Sequence, residues 1–194
     1  MTTTSRLNGF MAAASAQLLR DDSKIADHIG TALAAGYAGP RALPPASMPA
    51  CAILDSMLSN AEEDHIQKLA ACAEDLHWRM AGFGKLSGEI NNKLAVAELI
   101  GPDGLFVRPD IRIGLLLQRE GFHYPNHSHA AEEIYLVLSG TAMWAVDNAE
   151  PIPRGPGGII RHRSYQPHSI ETIGEPLCAL WGWVGDVAGG SYSV

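Results

Sequence analysis

The chain has 194 residues, of which 46% are hydrophobic and 18% are charged. This composition is typical of one compact globular domain and excludes a disordered segment. The 14 Lys and Arg residues stand against 21 Asp and Glu residues, which gives a net charge of -7 and argues against binding to nucleic-acid phosphates or to anionic membrane surfaces.

The first 90 residues are predicted to form a helical segment. Apolar residues recur at three- and four-residue spacing over residues 19–35 and 53–80, which predicts two helices. Residues 36–40 and the proline-rich stretch 43–49 interrupt this period and are predicted loops. Near the start of the chain, Asn8 and Gln17 interrupt the apolar core that a signal peptide needs, so we expect a cytoplasmic protein.

Residues 91–194 are predicted to form an antiparallel β-sandwich or barrel. Short apolar runs separated by Gly, Pro and Asn predict strands over residues 111–118, 133–138, 141–146, 158–161 and 178–184. Ser139-Gly140 supplies a tight turn, which predicts a hairpin between the second and third of these strands. Residues 93–100 fit either a helix or a strand. We expect one structural unit, in which the helical segment of residues 1–90 packs on the β-rich part.

Histidines cluster in this β-rich part, where five of the eight lie between residues 123 and 168. His127 and His129 are two residues apart, so in an extended segment both side chains point to one face, and Glu133 and Tyr135 repeat that spacing. If these groups line a barrel interior, they are costly there unless they are paired or bind a metal. His168, on a later strand, is placed to complete such a site.

A solvent-facing helix is the alternative interpretation of His129 and Glu133, because these residues are four positions apart. The run Ile134-Tyr135-Leu136-Val137-Leu138 argues against it. β-Branched and aromatic residues that end at a glycine turn favour a strand. The sequence therefore favours a metal site over a surface ion pair.

The same residues carry a family resemblance. The spacing resembles the first cupin motif at each of its defining positions, which are Gly121, His127, His129, Glu133 and Gly140, and Pro167-His168 resembles the core of the second. The longer string of residues 123–140, preceded by a helical half of this size, resembles the Q-type (DddQ-like) dimethylsulfoniopropionate lyases. This resemblance spans most of the chain. It implies a small antiparallel cupin β-barrel with an N-terminal helical segment, and cleavage of dimethylsulfoniopropionate into dimethyl sulfide and acrylate.

The resemblance also implies roles for individual residues. Its metal ligands correspond to His129, Glu133 and His168, with Tyr135 near or on the metal. Tyr124 and His127 line the substrate pocket. In cupins generally the residue at the position of His127 is also a ligand, so both roles stay open for it. One divalent transition metal, Zn, Fe(II) or Mn, is the expected cofactor, since nitrogen and oxygen ligands suit all three ions.

The chemistry of this elimination fits the residue types independently. A base removes the proton next to the carboxylate, and a neutral sulfide leaves. A divalent metal can stabilise the resulting negative charge as a Lewis acid, and contact with it lowers the pKa of a tyrosine from its usual value of about 10. Tyr135 is therefore the predicted base, which Tyr124 can assist or replace.

Two tryptophans are predicted to contact the substrate. Trp181 and Trp183 alternate on one predicted strand and so share a face. The sulfonium of the substrate is a permanent cation, which aromatic faces attract; ordinary barrel core is the alternative role for both. The expected partner is therefore a small zwitterionic molecule, bound by a monomer or a homodimer.

Two other functions stay open at this point. Two histidines and one carboxylate also form the ligand set of iron(II) dioxygenases. A cupin that only binds a small ligand would need the pocket but no base. Fold alone does not decide among these three functions.

Overall fold

The computed structural model describes residues 2–54, 57, 64–86 and 88–194. Its α-helices are α1 (Thr3–Leu18), α2 (Lys24–Ala34) and α3 (Asp64–Ala70). Short 3-10 helices cover Pro49–Ile53, Ala73–Asp75, Gly82–Gly84 and Gly88–Asn92. The strands are β1 (Trp78–Arg79), β2 (Leu94–Gly101), β3 (Phe106–Val107), β4 (Ile111–Gln118), β5 (Phe122–His127), β6 (Glu132–Ser139), β7 (Ala142–Val146), β8 (Ile152–Arg154), β9 (Ile159–His162), β10 (His168–Thr172) and β11 (Leu177–Val184).

The first predicted helix, residues 19–35, is correct only over α2. Its first part is wrong because Ser23 begins a new helix there, with its hydroxyl accepting a hydrogen bond from the Ala26 amide at 3.3 Å. The residues before that point follow α1, a helix that the periodicity did not predict. No helix in the described residues is both long enough and apolar enough to cross a membrane.

The second predicted helix, residues 53–80, is wrong over most of its described part. Within the described residues, α3 and the single positions Leu54 and Met57 are α-helical there, and residues 55, 56 and 58–63 of the prediction lie outside the described residues. Trp78 and Arg79 instead form β1 and pair with Ala97 and Val96 of β2. Pairing with a distant strand overrides the local helical period at this end of the segment.

The strands form two sheets, and their pairings are antiparallel except for that of β2 with β3. The larger sheet has the order β1-β2-β4-β11-β6-β9, with β3 beside β2, and the smaller has the order β5-β10-β7-β8. The five predicted strands are confirmed to within one residue at each end. Residues 93–100, which fitted either helix or strand, belong to β2.

The predicted hairpin across Ser139-Gly140 is wrong. β6 pairs with β11 and β9 in the larger sheet, whereas β7 pairs with β10 and β8 in the smaller one. The turn therefore carries the chain from one sheet to the other. Gly140 has φ +79° in this turn, a conformation that glycine adopts without strain.

The larger sheet is buried on both faces, which explains the unbroken apolar runs in its strands. On β6, Ile134 and Leu136 belong to the core formed with the helices, whereas Tyr135 and Val137 point into the space between the two sheets. The same alternation on β11 turns Leu180 towards the helices, and Trp181 and Trp183 towards the barrel interior. The helices thus cover one face of the sheet and leave the other face for the site.

A pair of glycines tests the role of the turn between the sheets. Gly140 and Gly157 have φ +79° and +78°, but an added Cβ lies 1.8 Å from the Pro176 carbonyl oxygen at Gly140 and meets nothing within 4 Å at Gly157. We expect Gly157→Ala to lower the free energy of unfolding by about 1–2 kcal/mol from backbone strain alone. Gly140→Ala should lower it by about 1–3 kcal/mol more because of the clash. Urea unfolding measures both, and equal losses would contradict the close approach of Pro176.

Candidate active site

Three side chains from separate parts of the chain meet at one point inside the barrel. Glu133 lies near the start of β6, His168 begins β10, and His129 lies in the connection between β5 and β6. Oε2 of Glu133 is 3.2 Å from Nε2 of His129 and 3.1 Å from Nε2 of His168. All three residues are buried, so the group is a polar cluster in an apolar interior.

Backbone carbonyls fix the orientation of both imidazoles. Nδ1 of His129 is 3.1 Å from the Ala131 oxygen, and Nδ1 of His168 is 2.8 Å from the Gln166 oxygen. A carbonyl oxygen only accepts, so each Nδ1 carries a proton and donates it. In the neutral ring Nε2 then keeps its lone pair, and these lone pairs face the Glu133 carboxylate. That arrangement is repulsive unless a positive charge lies among the three atoms.

The cluster fits a divalent metal ion. Around an ion with metal–ligand distances of about 2.0–2.2 Å, neighbouring ligand atoms lie about 2.8–3.1 Å apart in octahedral and about 3.3–3.6 Å apart in tetrahedral geometry. The two distances from Oε2 of Glu133 lie between these limits, and the three ligand atoms lie within 4.8 Å of one another. Nε2 of His168 makes no aligned hydrogen bond in the described part of the chain. Two imidazole nitrogens and a carboxylate oxygen form a donor set that suits Zn, Fe(II) and Mn. The group can therefore hold a metal.

The second oxygen of Glu133 is held by a tryptophan. Trp183 lies opposite Glu133 in the pairing of β11 with β6, and its Nε1 donates to Oε1 of Glu133 at 2.7 Å. Burial raises the pKa of Glu133, but positive charge at His129, and then at His168, outweighs burial and holds the pKa well below its ordinary value. Glu133 is thus a fixed carboxylate at neutral pH.

His127 lies beside this cluster without joining it. Its Nδ1 is 2.8 Å from the Pro125 oxygen, and its ring stacks on Tyr124 at 4.3 Å and meets the edge of His168 at 4.1 Å. Among the described residues, the group of ligand atoms that could hold a metal comprises His129, Glu133 and His168. Burial and then the positive charge of His168 lower the pKa of His127 to about 3. The geometry favours a neutral pocket residue over a fourth ligand.

The predicted convergence is present, and the two-residue spacing turns both His127 and His129, and both Glu133 and Tyr135, towards the barrel interior. His127 ends β5 in the smaller sheet, whereas Glu133 and Tyr135 lie on β6 in the larger one. His129 lies in the connection that joins the two sheets. The groups meet because the sheets face each other, and not because one extended hairpin presents them.

A cavity opens beside the cluster, and the space that atoms leave free there, including open solvent at its mouth, is about 410 Å³. Seven of the eight predicted site residues line it: Tyr124, His127, His129, Glu133, Tyr135, Trp181 and Trp183. The eighth, His168, reaches the site through its contact with Glu133. Residues that the sequence analysis did not single out also line it, among them Arg79, Phe83 and Tyr192.

Tyr135 occupies a fixed position in the wall of the cavity. It is 3% exposed, and its ring centroid lies 4.9 Å from that of Trp144 and 5.9 Å from that of His162. Burial, followed by the charge of Glu133, raises the pKa of Tyr135 well above its ordinary value. A cation beside Glu133 opposes the second of these causes.

The sequence analysis missed two buried groups of the site. His162 stacks on His168 at 3.9 Å, and neither of its ring nitrogens has a hydrogen-bond partner among the residues that the structure describes. Burial and then the charge of His168 lower its pKa to about 3. His162 is the last residue of β9 and lies opposite Glu133, one residue beyond the predicted strand of residues 158–161. Tyr192 follows the last strand, and no periodicity in that part of the sequence predicts that it reaches the cavity.

Comparison with known proteins adds an independent finding. The family described as dimethylsulfoniopropionate lyase matches residues 23–179 of this chain. The dimethylsulfoniopropionate lyase DddQ of Ruegeria pomeroyi DSS-3 is 30% identical over 152 residues, which cover 76% of each protein. The crystal structure of DMSP lyase DddQ from Ruegeria pomeroyi DSS-3 has a TM-score of 0.77 at 26% identity and covers 98% of this chain and 96% of that one. A structure from the DMSP lyases RdDddP and RnDddQII has the same fold, with a TM-score of 0.78 at 23% identity over 100% of this chain and 99% of that one.

Histidine variants test which side chains hold a metal. We expect the parent to bind about one divalent ion per chain, and His129→Ala to lose most of it because one of the three converging atoms is gone. His127→Ala should keep the ion, as should the matched control His123→Ala, which changes an exposed histidine. Elemental analysis after loading and desalting measures the content. Loss of the ion in His127→Ala to the same extent would show that the four-ligand arrangement of cupins generally applies here.

Proposed function

This chain belongs to the dimethylsulfoniopropionate lyase family and cleaves a carbon–sulfur bond, and we propose that it forms dimethyl sulfide and acrylate by β-elimination in the cavity beside Glu133. The observation that carries the proposal is the convergence of two imidazole nitrogens and a buried carboxylate on a cavity that also contains a phenol. The elimination needs a base, a stabiliser of negative charge and a binding surface for a cation. The cavity has a candidate for each.

His129, Glu133 and His168 would hold the metal. When bound, the ion supplies a Lewis acid for the negative charge that forms beside the substrate carboxylate. The backbone oxygens of Ala131 and Gln166 keep both imidazoles in the tautomer that a ligand requires. Zn, Fe(II) and Mn all suit this donor set.

We assign the role of base to Tyr135. It lies two residues after Glu133 on β6, faces the same cavity, and is held by the rings of Trp144 and His162. A cation held beside Glu133 would favour the phenolate of Tyr135. The phenolate oxygen takes the proton from the carbon next to the carboxylate and becomes a neutral hydroxyl. The electron pair of that C–H bond becomes the C=C bond of acrylate, while the C–S pair leaves with dimethyl sulfide. Tyr124, also in the wall of the cavity, can assist or replace it.

Aromatic faces in the cavity suit the sulfonium end of the substrate. Trp181 and Trp183 lie side by side on the inner face of β11, with ring centroids 5.9 Å apart, and Phe83 lies 5.4 Å from Trp183. Each such face contributes roughly 0.5–2 kcal/mol to binding of a desolvated cation. Trp183 therefore has two proposed roles, since its indole nitrogen also orients Glu133.

The competing functions use the same groups differently. An iron(II) dioxygenase would have this ligand set but would consume oxygen, and a ligand-binding cupin would need no base. Membership of the lyase family favours elimination over both. Three expectations from the sequence remain predictions: a cytoplasmic location, a monomeric or homodimeric state, and a boundary near residue 90 between the helical segment and the barrel.

Substitution of the proposed base tests this function. Metal-loaded parent protein should release dimethyl sulfide from dimethylsulfoniopropionate without consuming oxygen. Tyr135→Phe should lower kcat by at least about 100-fold while keeping its metal, because removal of a general base typically costs that much. The control Tyr165→Phe removes a hydroxyl from a tyrosine that is 62% exposed and should leave turnover unchanged. Headspace gas chromatography measures the release of dimethyl sulfide, and an oxygen electrode measures the uptake of oxygen.

Each alternative has its own signature in that experiment. Stoichiometric oxygen uptake would contradict elimination and support a dioxygenase. A folded, metal-loaded parent that binds the substrate but releases no gas would support a ligand-binding cupin. Full turnover by Tyr135→Phe would still support a lyase but would show that another residue is the base, and Tyr124 would be tested next.

A further inference from the structure

The segment of residues 187–193, which follows the last strand, is fixed against the part of the chain that carries the site histidines. Ser193 and Ser128 exchange two backbone hydrogen bonds of 2.9 Å, and the hydroxyl of Ser191 accepts from the Ala130 amide at 2.9 Å. The amino group of Lys85 donates to the Tyr192 carbonyl oxygen. These contacts hold the backbone on both sides of Tyr192, so its side chain has a defined place.

That place is the cavity wall beside His127 and His129. Tyr192 is 3% exposed, and its ring centroid lies 5.3 Å from His127 and 6.2 Å from His129. Its hydroxyl oxygen is 2.7 Å from that of Tyr124, whose ring stacks on His127. Two phenols from distant parts of the chain thus form a bonded pair inside the cavity.

A count of hydrogens shows what the pair can offer. Each hydroxyl has one hydrogen, and a single hydrogen bond joins the two groups, so one hydrogen remains. The described residues provide no acceptor for it. A buried donor without an acceptor is costly, which points to an acceptor on a molecule that enters the cavity.

We propose that Tyr192 is a positioning residue for the lyase reaction: its hydroxyl holds that of Tyr124, and the pair presents one O–H to a carboxylate oxygen of the substrate. This inference rests on the proposed function, since dimethylsulfoniopropionate has one carboxylate. Negative charge grows on that carboxylate when the neighbouring carbon loses its proton. A donor that is already oriented in a dry cavity stabilises this charge without reorganisation.

The simpler role for Tyr192 is that of an aromatic wall. In that case phenylalanine serves equally well, because the ring and its contacts remain. Tyr192→Phe therefore separates the two roles. Tyr37→Phe is the matched control. It also removes a phenolic hydroxyl and its hydrogen bond, 2.9 Å to the Ala32 oxygen, but at a half-buried position beside the helical core, where Tyr37 stacks on Phe106.

The test is a double-mutant cycle on turnover of dimethylsulfoniopropionate by metal-loaded protein. We expect Tyr192→Phe and Tyr124→Phe each to lower kcat/KM by about 10- to 100-fold. Because the two hydroxyls act as a pair, the double variant should lie within about threefold of Tyr124→Phe alone. Metal content should be unchanged throughout, and Tyr37→Phe should match the parent. The proposal would be overturned if kcat/KM of Tyr192→Phe lay within about twofold of the parent value. It would also be overturned if the fold-loss in the double variant equalled the product of the two single fold-losses.

A second measurement does not depend on turnover. 3-(Methylthio)propionate has the carboxylate but no sulfonium leaving group, and calorimetry gives its affinity for each variant. We expect about tenfold weaker binding to Tyr192→Phe and unchanged binding to Tyr37→Phe. Equal affinity for parent and Tyr192→Phe would overturn the carboxylate contact. Weaker binding to Tyr192→Phe together with no dimethyl sulfide from the parent would count against the proposed function alone.

Discussion

The carboxylate of Glu133 is a buried negative charge, and the arrangement of the site depends on how it is compensated. An isolated carboxylate in this interior would take up a proton instead of staying ionised. Here Trp183 donates to one oxygen, and the other lies beside Nε2 of His129 and of His168, where a cation held by all three residues would compensate the charge. These partners come from β11, from the connection before β6 and from β10. The charge is therefore compensated only when the two sheets face each other, which couples closure of the barrel to assembly of the site.

The helices matter to this site although they contribute no ligand atom to it. They bury the outward side chains of β6 and β11, such as Ile134 and Leu180. Because successive residues of a strand point to opposite faces, this fixes which side chains point inward. Gly182 allows Ile29 of α2 to approach β11 closely, since an added Cβ there would lie 2.7 Å from Ile29. The register of the sheet, set from outside, thus places Glu133 and Tyr135 in the cavity.

The sequence was sufficient to predict what depends on local pattern. The β-branched runs predicted the strands, and the spacing around His129 predicted both the cluster and the family. Long-range pairing could not be predicted from the sequence. The turn at Gly140 predicted a reversal of the chain but not that the chain passes to the other sheet there. Trp78 continues the helical period of apolar residues, although it pairs with β2. Tyr192 reaches the cavity through contacts with residues more than sixty positions earlier. No period or motif encodes contacts of that kind.

A crystal structure of the metal-loaded protein, with anomalous diffraction measured on both sides of the absorption edge of the metal, tests the central claim most directly. We expect one anomalous peak among Nε2 of His129, Nε2 of His168 and the carboxylate of Glu133. His127 should keep its stack on Tyr124 outside the coordination shell. A peak that includes Nε2 of His127 as a ligand, or a fully loaded protein with its metal elsewhere, would contradict the three-residue centre on which the account is built.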